Sequence, residues 1–301
     1  MANISLINKK CKYELHSFID ECENRYINEI DRVLSGIENS ECSALIIAGP
    51  SCAGKTTTSQ IIANKIANDN RKVFIVSLDD YFHSVDIQKE KYGEKTDFDS
   101  INALDVDFFK SQFSDILNGK EVSVPRFDFI SGKRIENHCK IQMKKNDFLI
   151  VEGIHSLNPV ISNEFSHKTV KSLFINVEDE ISNDEKTLLN ARQLRLVRRI
   201  VRDFNFRGSS VENTFNLWKN VVKNEDLSLL PFREDADFQI NTFIEYECGV
   251  MKEQACNLLS SVSRDSKYQD ISQEMLNALN NIVTVDKKFV PKYSMLKEFV
   301  G

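Results

Sequence analysis

Four short apolar runs punctuate the chain, at residues 45–48, 73–78, 148–151 and 173–177. Each is bounded by polar or glycine-containing turns, which predicts strands buried on both faces. Residues 239–241 predict a fifth, shorter strand. Between these runs the apolar spacing changes to the helical period. Phe18, Ile27, Ile30, Val33 and Leu34 line one side of one or two helices over residues 11–38. Ile61, Ile62 and Ile66 do the same for a helix over 57–67, and residues 103–117 read as another. Residues 121–134 and 139–143 predict a hairpin-like insert, and the polar stretch 83–100 predicts an irregular, mobile excursion. After residue 245, Val250, Ala255, Leu258, Leu259 and Val262 share one helical side, and Met275, Leu276, Leu279 and Ile282 another. Buried strands alternating with helices mean a parallel sheet with helices on both faces. The expected organisation is an N-terminal helical extension (1–42), an α/β domain (43–244) and a C-terminal helical tail (245–301).

Composition narrows the class. The 301 residues are 41% hydrophobic and 28% charged, enough for a packed core, with net charge −6. That acidity argues against a nucleic-acid coat or a membrane-surface protein. No apolar stretch approaches a membrane span, and the N-terminal one is too short for a signal peptide. The seven cysteines are scattered, odd in number and without a C-x-x-C pair. They read as free thiols in a reducing cytoplasm. Homo-oligomerisation is left open.

The chemistry starts at Gly49-Pro50-Ser51-Cys52-Ala53-Gly54-Lys55-Thr56, which fits G-x-x-x-x-G-K-S/T and is followed by Thr57. It stands where a strand turns into a helix, so several backbone N–H groups and the helix dipole converge on one anion. Lys55 would reach the β- and γ-phosphates and the Thr56 hydroxyl would hold Mg²⁺. Cys52 lies inside this nest, where positive potential favours a reactive thiolate.

Two strand ends carry acids. Glu152 closes the 148–151 run and stands where a carboxylate would coordinate Mg²⁺. Asp79 closes the 73–78 run, with Asp80 competing to be the base that takes a proton from an attacking hydroxyl. The plainer reading of each acid is a helix cap or a solvated turn. Over residues 192–207, Arg192, Arg195, Arg198, Arg199 and Arg202 fall within an arc of about 120°, opposite Leu194, Leu196, Val197, Ile200 and Val201. This predicts a packed face and a fan of guanidiniums, a lid over phosphates. The plainer reading is a solvated face paired with Asp203 and Glu212. Asp97, Asp99, Phe127 and Phe129 are candidates for acceptor recognition, the acids for vicinal hydroxyls and the rings for a base. His155 follows the Glu152 turn, as a site residue or a loop hydrogen-bonder.

With these residues in place, the chain resembles the uridine kinase and phosphoribulokinase family of P-loop kinases. The matching pieces are AGPSCAGKTT (48–57), SLDDYF (77–82), TDFDSINALD (96–105), VPRFDF (124–129), VEGIH (151–155), RLVRRIVRDFNFRG (195–208) and LPFREDAD (230–237). The wording is similar to a bacterial uridine-kinase-like subgroup, whose members often carry an N-terminal region similar to threonyl-tRNA synthetase; this chain is too short to hold it. The resemblance implies a P-loop NTPase-type α/β fold with a small β-rich acceptor-binding insert and an arginine lid. It implies ATP or GTP as donor, Mg²⁺, and the 5′-hydroxyl of a nucleoside, uridine or cytidine, as acceptor. By this resemblance Asp79 is the catalytic aspartate near the metal, and Thr56 and Glu152 belong to the metal site. Asp99 binds the ribose hydroxyls and Phe127 and Phe129 flank the pyrimidine, with Arg134 and His155 also on the acceptor side. Arg195, Arg199 and Arg202 lie in the lid and act in catalysis with Lys55.

The chain departs from uridine kinases proper at three places. Ser100-Ile101 replaces His-Pro, Gly132 stands where a base-reading histidine is usual, and Gln193 replaces an acid ahead of the lid. A kinase for another hydroxylated metabolite, such as a sugar phosphate or a pantothenate-like compound, therefore stays open. So does a non-catalytic nucleotide-binding regulator or RNA-binding module. A GTPase switch is disfavoured, because no N/T-K-x-D run stands on a late strand.

Overall fold

The computed structural model describes residues 2–67, 71–93, 97, 99–163, 165 and 169–301. A two-residue strand β1 (Ala2–Asn3) leads into helices α1 (Ile4–Tyr13) and α2 (Leu15–Glu38). The chain then alternates through β2 (Ala44–Ala48), α3 (Lys55–Ala67), β3 (Val73–Ser77), α4 (Val85–Tyr92) and α5 (Val106–Leu117). A hairpin of β4 (Val122–Asp128) and β5 (Lys133–Ile141) precedes β6 (Phe148–Glu152), the single turn α6 (Pro159–Ser162) and β7 (Val170–Asn176). Two short strands, β8 (Ile181–Ser182) and β9 (Thr187–Leu189), lead to α7 (Ala191–Arg207) and α8 (Val211–Ser228). The chain ends with β10 (Phe238–Asn241), α9 (Glu247–Ser260), α10 (Gln269–Asn280) and the C-terminal turn α11 (Lys297–Val300).

The central sheet is parallel, in the order β10-β7-β2-β6-β3. Every residue of β2 and β6 is buried, as expected of strands covered on both faces. β3 closes one edge, and its Ile75 is 37% exposed. Side chains alternate between two apolar layers. Leu45 and Ile47 of β2 pack with α2, α3, α7 and α9. Ala44 and Ile46 pack on the other face with α5 and the hairpin. Residues of both flanking regions, such as Ile30, Val33, Met275 and Phe299, join the first of these layers. Among the described residues no helix is long and apolar enough to cross a membrane. All seven cysteines are free.

The expected irregular excursion at 83–100 contains helix α4. Asp86 sits in its first turn and Gly93, at φ +57°, ends it. Val85 N–H donates to Gly132 O at 2.9 Å, so a tertiary contact with the hairpin helps hold a segment too polar to show helical periodicity. Thr96 and Phe98, part of the family-like piece at 96–105, lie outside the described residues, as do Glu94 and Lys95.

Candidate active site

Strand order creates the site. β6 lies between β2 and β3, so the loop after β2, Glu152 at the end of β6 and Asp79 just past β3 meet at adjacent strand ends. Ligands of open parallel sheets bind at this edge. In the loop, Cys52 and Gly54 both take positive φ (+59° and +92°), which turns backbone N–H groups toward one side. Gly49 is required by close packing, because a Cβ there would lie 2.3 Å from Ile175 O. Helix α3 begins at Lys55, whose Nζ donates to Pro50 O at 3.2 Å. The Cys52 thiol, expected to be reactive, belongs to a residue only 3% exposed.

A cavity of about 350 Å³ opens in front of the loop. Ser51, Cys52, Gly54, Lys55 and Thr56 form one wall. Asp79, Asp99 and Glu152 supply carboxylates, Phe127 and Phe129 supply rings, and Arg199 and Arg202 reach in from α7. Glu152 is buried, and its pKa is pushed up to about 7, first by burial and then by the charge of Asp79; Lys55 opposes the shift. Burial likewise raises Asp99 to about 6, against the pull of Arg199. Among the described residues no three His, Cys, Asp or Glu side chains cluster to hold a metal by themselves. Two strand-end carboxylates beside the Thr56 hydroxyl still suit Mg²⁺, which uses few protein oxygens and completes its shell with phosphates and water.

The neighbouring acids are separated by their partners. Asp80 accepts the Phe127 N–H at 3.0 Å and so anchors the hairpin, whereas Asp79 faces the cavity. Asp97 is engaged by the Asn224 side-chain amide at 3.0 and 3.1 Å. His155 is 2% exposed, with Nε2 2.9 Å from Asp99 O. The carbonyl can only accept, so Nε2 carries the proton, and His155 fixes the Asp99 backbone rather than lining the cavity. The Phe127 ring contacts those of Phe82 and Phe129 at centroid distances of 5.7 and 5.1 Å.

Two further expected site residues, besides His155, are placed elsewhere. Arg134 donates to Asp105 and Glu136 and stacks on Phe108. Arg195 is 3% exposed and pairs with both Glu225 oxygens at 2.7 Å. Its guanidinium also donates to Ser51 O at 3.1 Å and lies 5.4 Å from the Trp218 ring. The predicted open fan of guanidiniums is largely closed. Arg198 donates to Cys52 O at 3.1 Å, Thr242 O at 2.7 Å and Glu247 at 2.8 Å. Arg199 meets Ser51 Oγ and Asp203, and Arg202 meets Asp203. Helices α8 and α9 cover this face of α7, so each guanidinium needs a buried counter-charge or carbonyl. The effect is to hold the loop from α7 through the carbonyls of Ser51 and Cys52 rather than through its N–H groups.

The model of the phosphoribulokinase / uridine kinase family matches residues 45–247. The chain belongs to this family. A uridine kinase from Mycoplasma genitalium is 31% identical over 176 residues, 58% of this chain and 73% of the relative. One from Lactobacillus helveticus is 30% identical over 179 residues, 59% and 75% of the two chains. Uridine-cytidine kinase A of Dictyostelium discoideum is 29% identical over 193 residues, covering 64% of this chain and 34% of the relative. The protein is thus a kinase of the uridine kinase-like kind.

Against the pattern of uridine kinases proper, two departures have structural roles here. Gln193 closes a capping box with Asn190 at the start of α7 and donates to Glu274. Gly132 sits at φ +67°, where a Cβ would fall 2.6 Å from Val85 Cγ2; α4 occupies the space that a base-reading side chain needs.

Sequence reasoning missed Glu225, Glu247, Arg207 and Glu298. Glu225 did carry a signal: it shares the buried face of α8 with Trp218 and Val221, and a charge at a core position demands a partner. Glu298 carried none, since it lies beyond the family match. The Arg198–Glu247 pair is fully buried, so Glu247→Ala strands a guanidinium in the core. We expect a loss of about 3 kcal/mol in urea unfolding; a change within 0.5 kcal/mol, the range typical of surface substitutions, would contradict it.

Proposed function

We propose that the protein transfers the γ-phosphoryl group of ATP (or GTP) to the 5′-hydroxyl of a nucleoside, most readily uridine or cytidine. The observation that carries this is the single cavity joining the phosphate loop to Asp79, Glu152, Asp99 and the Phe127–Phe129 rings. Backbone N–H groups of the loop and the Lys55 ammonium bind the triphosphate. Thr56, Glu152 and Asp79 would hold Mg²⁺, which would supply neutralisation of phosphate charge. Asp79 takes the acceptor proton as the acceptor oxygen attacks the γ-phosphorus. Arg199 and Arg202 stabilise charge on the transferred group, while Arg195 acts only by holding the Ser51 carbonyl. Asp99 accepts hydrogen bonds from the ribose hydroxyls, and Phe127 and Phe129 stack against the base.

A second reading keeps the architecture and changes the acceptor. The crowded position of Gly132 favours it, because base reading cannot run through a side chain there. Release of ADP, measured across nucleosides, sugar phosphates and pantothenate-like alcohols, separates the two. No acceptor-dependent ADP release with any of them would instead favour a non-catalytic nucleotide-binding or RNA-binding module.

The acid on the acceptor side has a pH signature. Asp99 titrates at about 6, is ionised above that value, and accepts hydrogen bonds best as the carboxylate. Acceptor affinity, measured without donor or metal so that the metal role of Glu152 does not enter, should therefore weaken as pH drops through about 6. Asp99→Asn should lower it throughout and remove that limb; an unaltered limb would assign the titration to another group.

A further inference from the structure

The phosphate loop already has an anion on it, supplied by the protein itself. Thr57, in the first turn of α3, directs its N–H and hydroxyl toward Glu298 of α11, at 3.4 and 2.7 Å from Oε2. First-turn N–H groups have no partner within their own helix, and these are the groups that a bound triphosphate uses. Glu298 also borders the cavity that contains Lys55, Thr56 and Glu152. The segment bearing it is firmly seated. Met295, Leu296 and Phe299 are fully buried, and Ser294 Oγ donates to Glu23 at 2.6 Å. The Asn205 amide donates to Phe299 O at 3.0 Å, and the Phe299 ring lies 5.3 Å from the Arg198 guanidinium. Met295 fills the space beside Gly54, where a Cβ would lie 2.0 Å from its Sδ.

We propose that Glu298 sets donor affinity by competing with the donor's phosphates for the head of α3. This rests on the reading of the loop as the donor site and extends it beyond the family-matched segment. The carboxylate accepts the hydrogen bonds a phosphate oxygen would accept, and it repels a polyphosphate brought alongside. Because the backbone of α11 is anchored by buried side chains, donor binding requires only that the Glu298 side chain rotate away from Thr57. The unliganded loop is thereby kept in its binding shape, at the cost of weaker donor binding.

The test is calorimetric titration of the full-length protein with Mg·AMP-PNP. Glu298→Ala should bind about tenfold tighter than wild type, which is 1.4 kcal/mol. Glu298→Gln, which keeps an acceptor but loses the charge, should fall between them. The donor KM in the kinase assay should follow the same order. A purely structural role predicts the reverse, because loosening α11 would disorder the loop and weaken binding. Equal or weaker binding by Glu298→Ala, with wild type binding normally, overturns this proposal and leaves the donor site standing. Failure of wild type and both variants to bind overturns the donor site and this proposal together.

Discussion

Lys55→Ala should lower kcat/KM for the donor about a thousandfold, close to 4 kcal/mol of transition-state stabilisation. Two effects combine. The ammonium heads α3 and lines the cavity with Ser51, Cys52 and Gly54, and in the proposed reaction it would meet charge developing on the transferred group. It is also the cation that opposes the upward shift of Glu152. Without it Glu152 rises further above 7, holds its proton at neutral pH and loses the ionised form a metal needs. Lys55→Arg should recover little, since a planar fork cannot replace a compact ammonium in this space. Steady-state ADP release provides the measurement, and a loss smaller than tenfold would remove Lys55 from the catalytic centre.

Asp79→Asn should reduce kcat by about three orders of magnitude, within the range for a lost general base, with a smaller loss of Mg·AMP-PNP affinity, since Thr56 and Glu152 would still hold the metal. The geometry distinguishes Asp79 from its neighbour. Asp79 faces the cavity beside Glu152, whereas the Asp80 carboxylate is spent on the Phe127 N–H. Asp80→Asn should therefore loosen the hairpin and raise the acceptor KM while retaining turnover. The substitution at 79 has a second readout with a defined sign. The Asp79 charge raises Glu152, so removing it lets Glu152 ionise at lower pH, and the residual activity should shift to a more acidic profile. Full activity in Asp79→Asn together with an inactive Asp80→Asn would exchange the two roles.

The arginine helix shows how far a periodicity argument reaches. The spacing of Arg195, Arg198, Arg199 and Arg202 correctly predicts a helix with one apolar face. Its other face was expected to be open, and it is instead covered by α8 and α9, whose Glu225 and Glu247 neutralise it. A hydrophobic pattern reports which residues avoid water. It does not report which charged residues are withdrawn from water in pairs, because that depends on a partner 30 or 49 positions away.

Local interactions made much of this protein legible in its sequence. Buried strands need continuous apolar runs, and a phosphate nest needs Gly49, Gly54, Lys55 and Thr56 at fixed intervals. The acids that complete the site follow strand ends, so each could be marked from its own neighbours. Tertiary structure alone decided that β6 inserts between β2 and β3, which brings Glu152 and Asp79 to the same loop. It also decided that Arg195 and Arg198 brace that loop from behind, that α4 crowds Gly132, and that Glu298 reaches Thr57 across 241 positions. The physical reason is the same in each case: these contacts are set by packing elements remote in sequence, and no turn preference or residue period encodes which remote groups will meet.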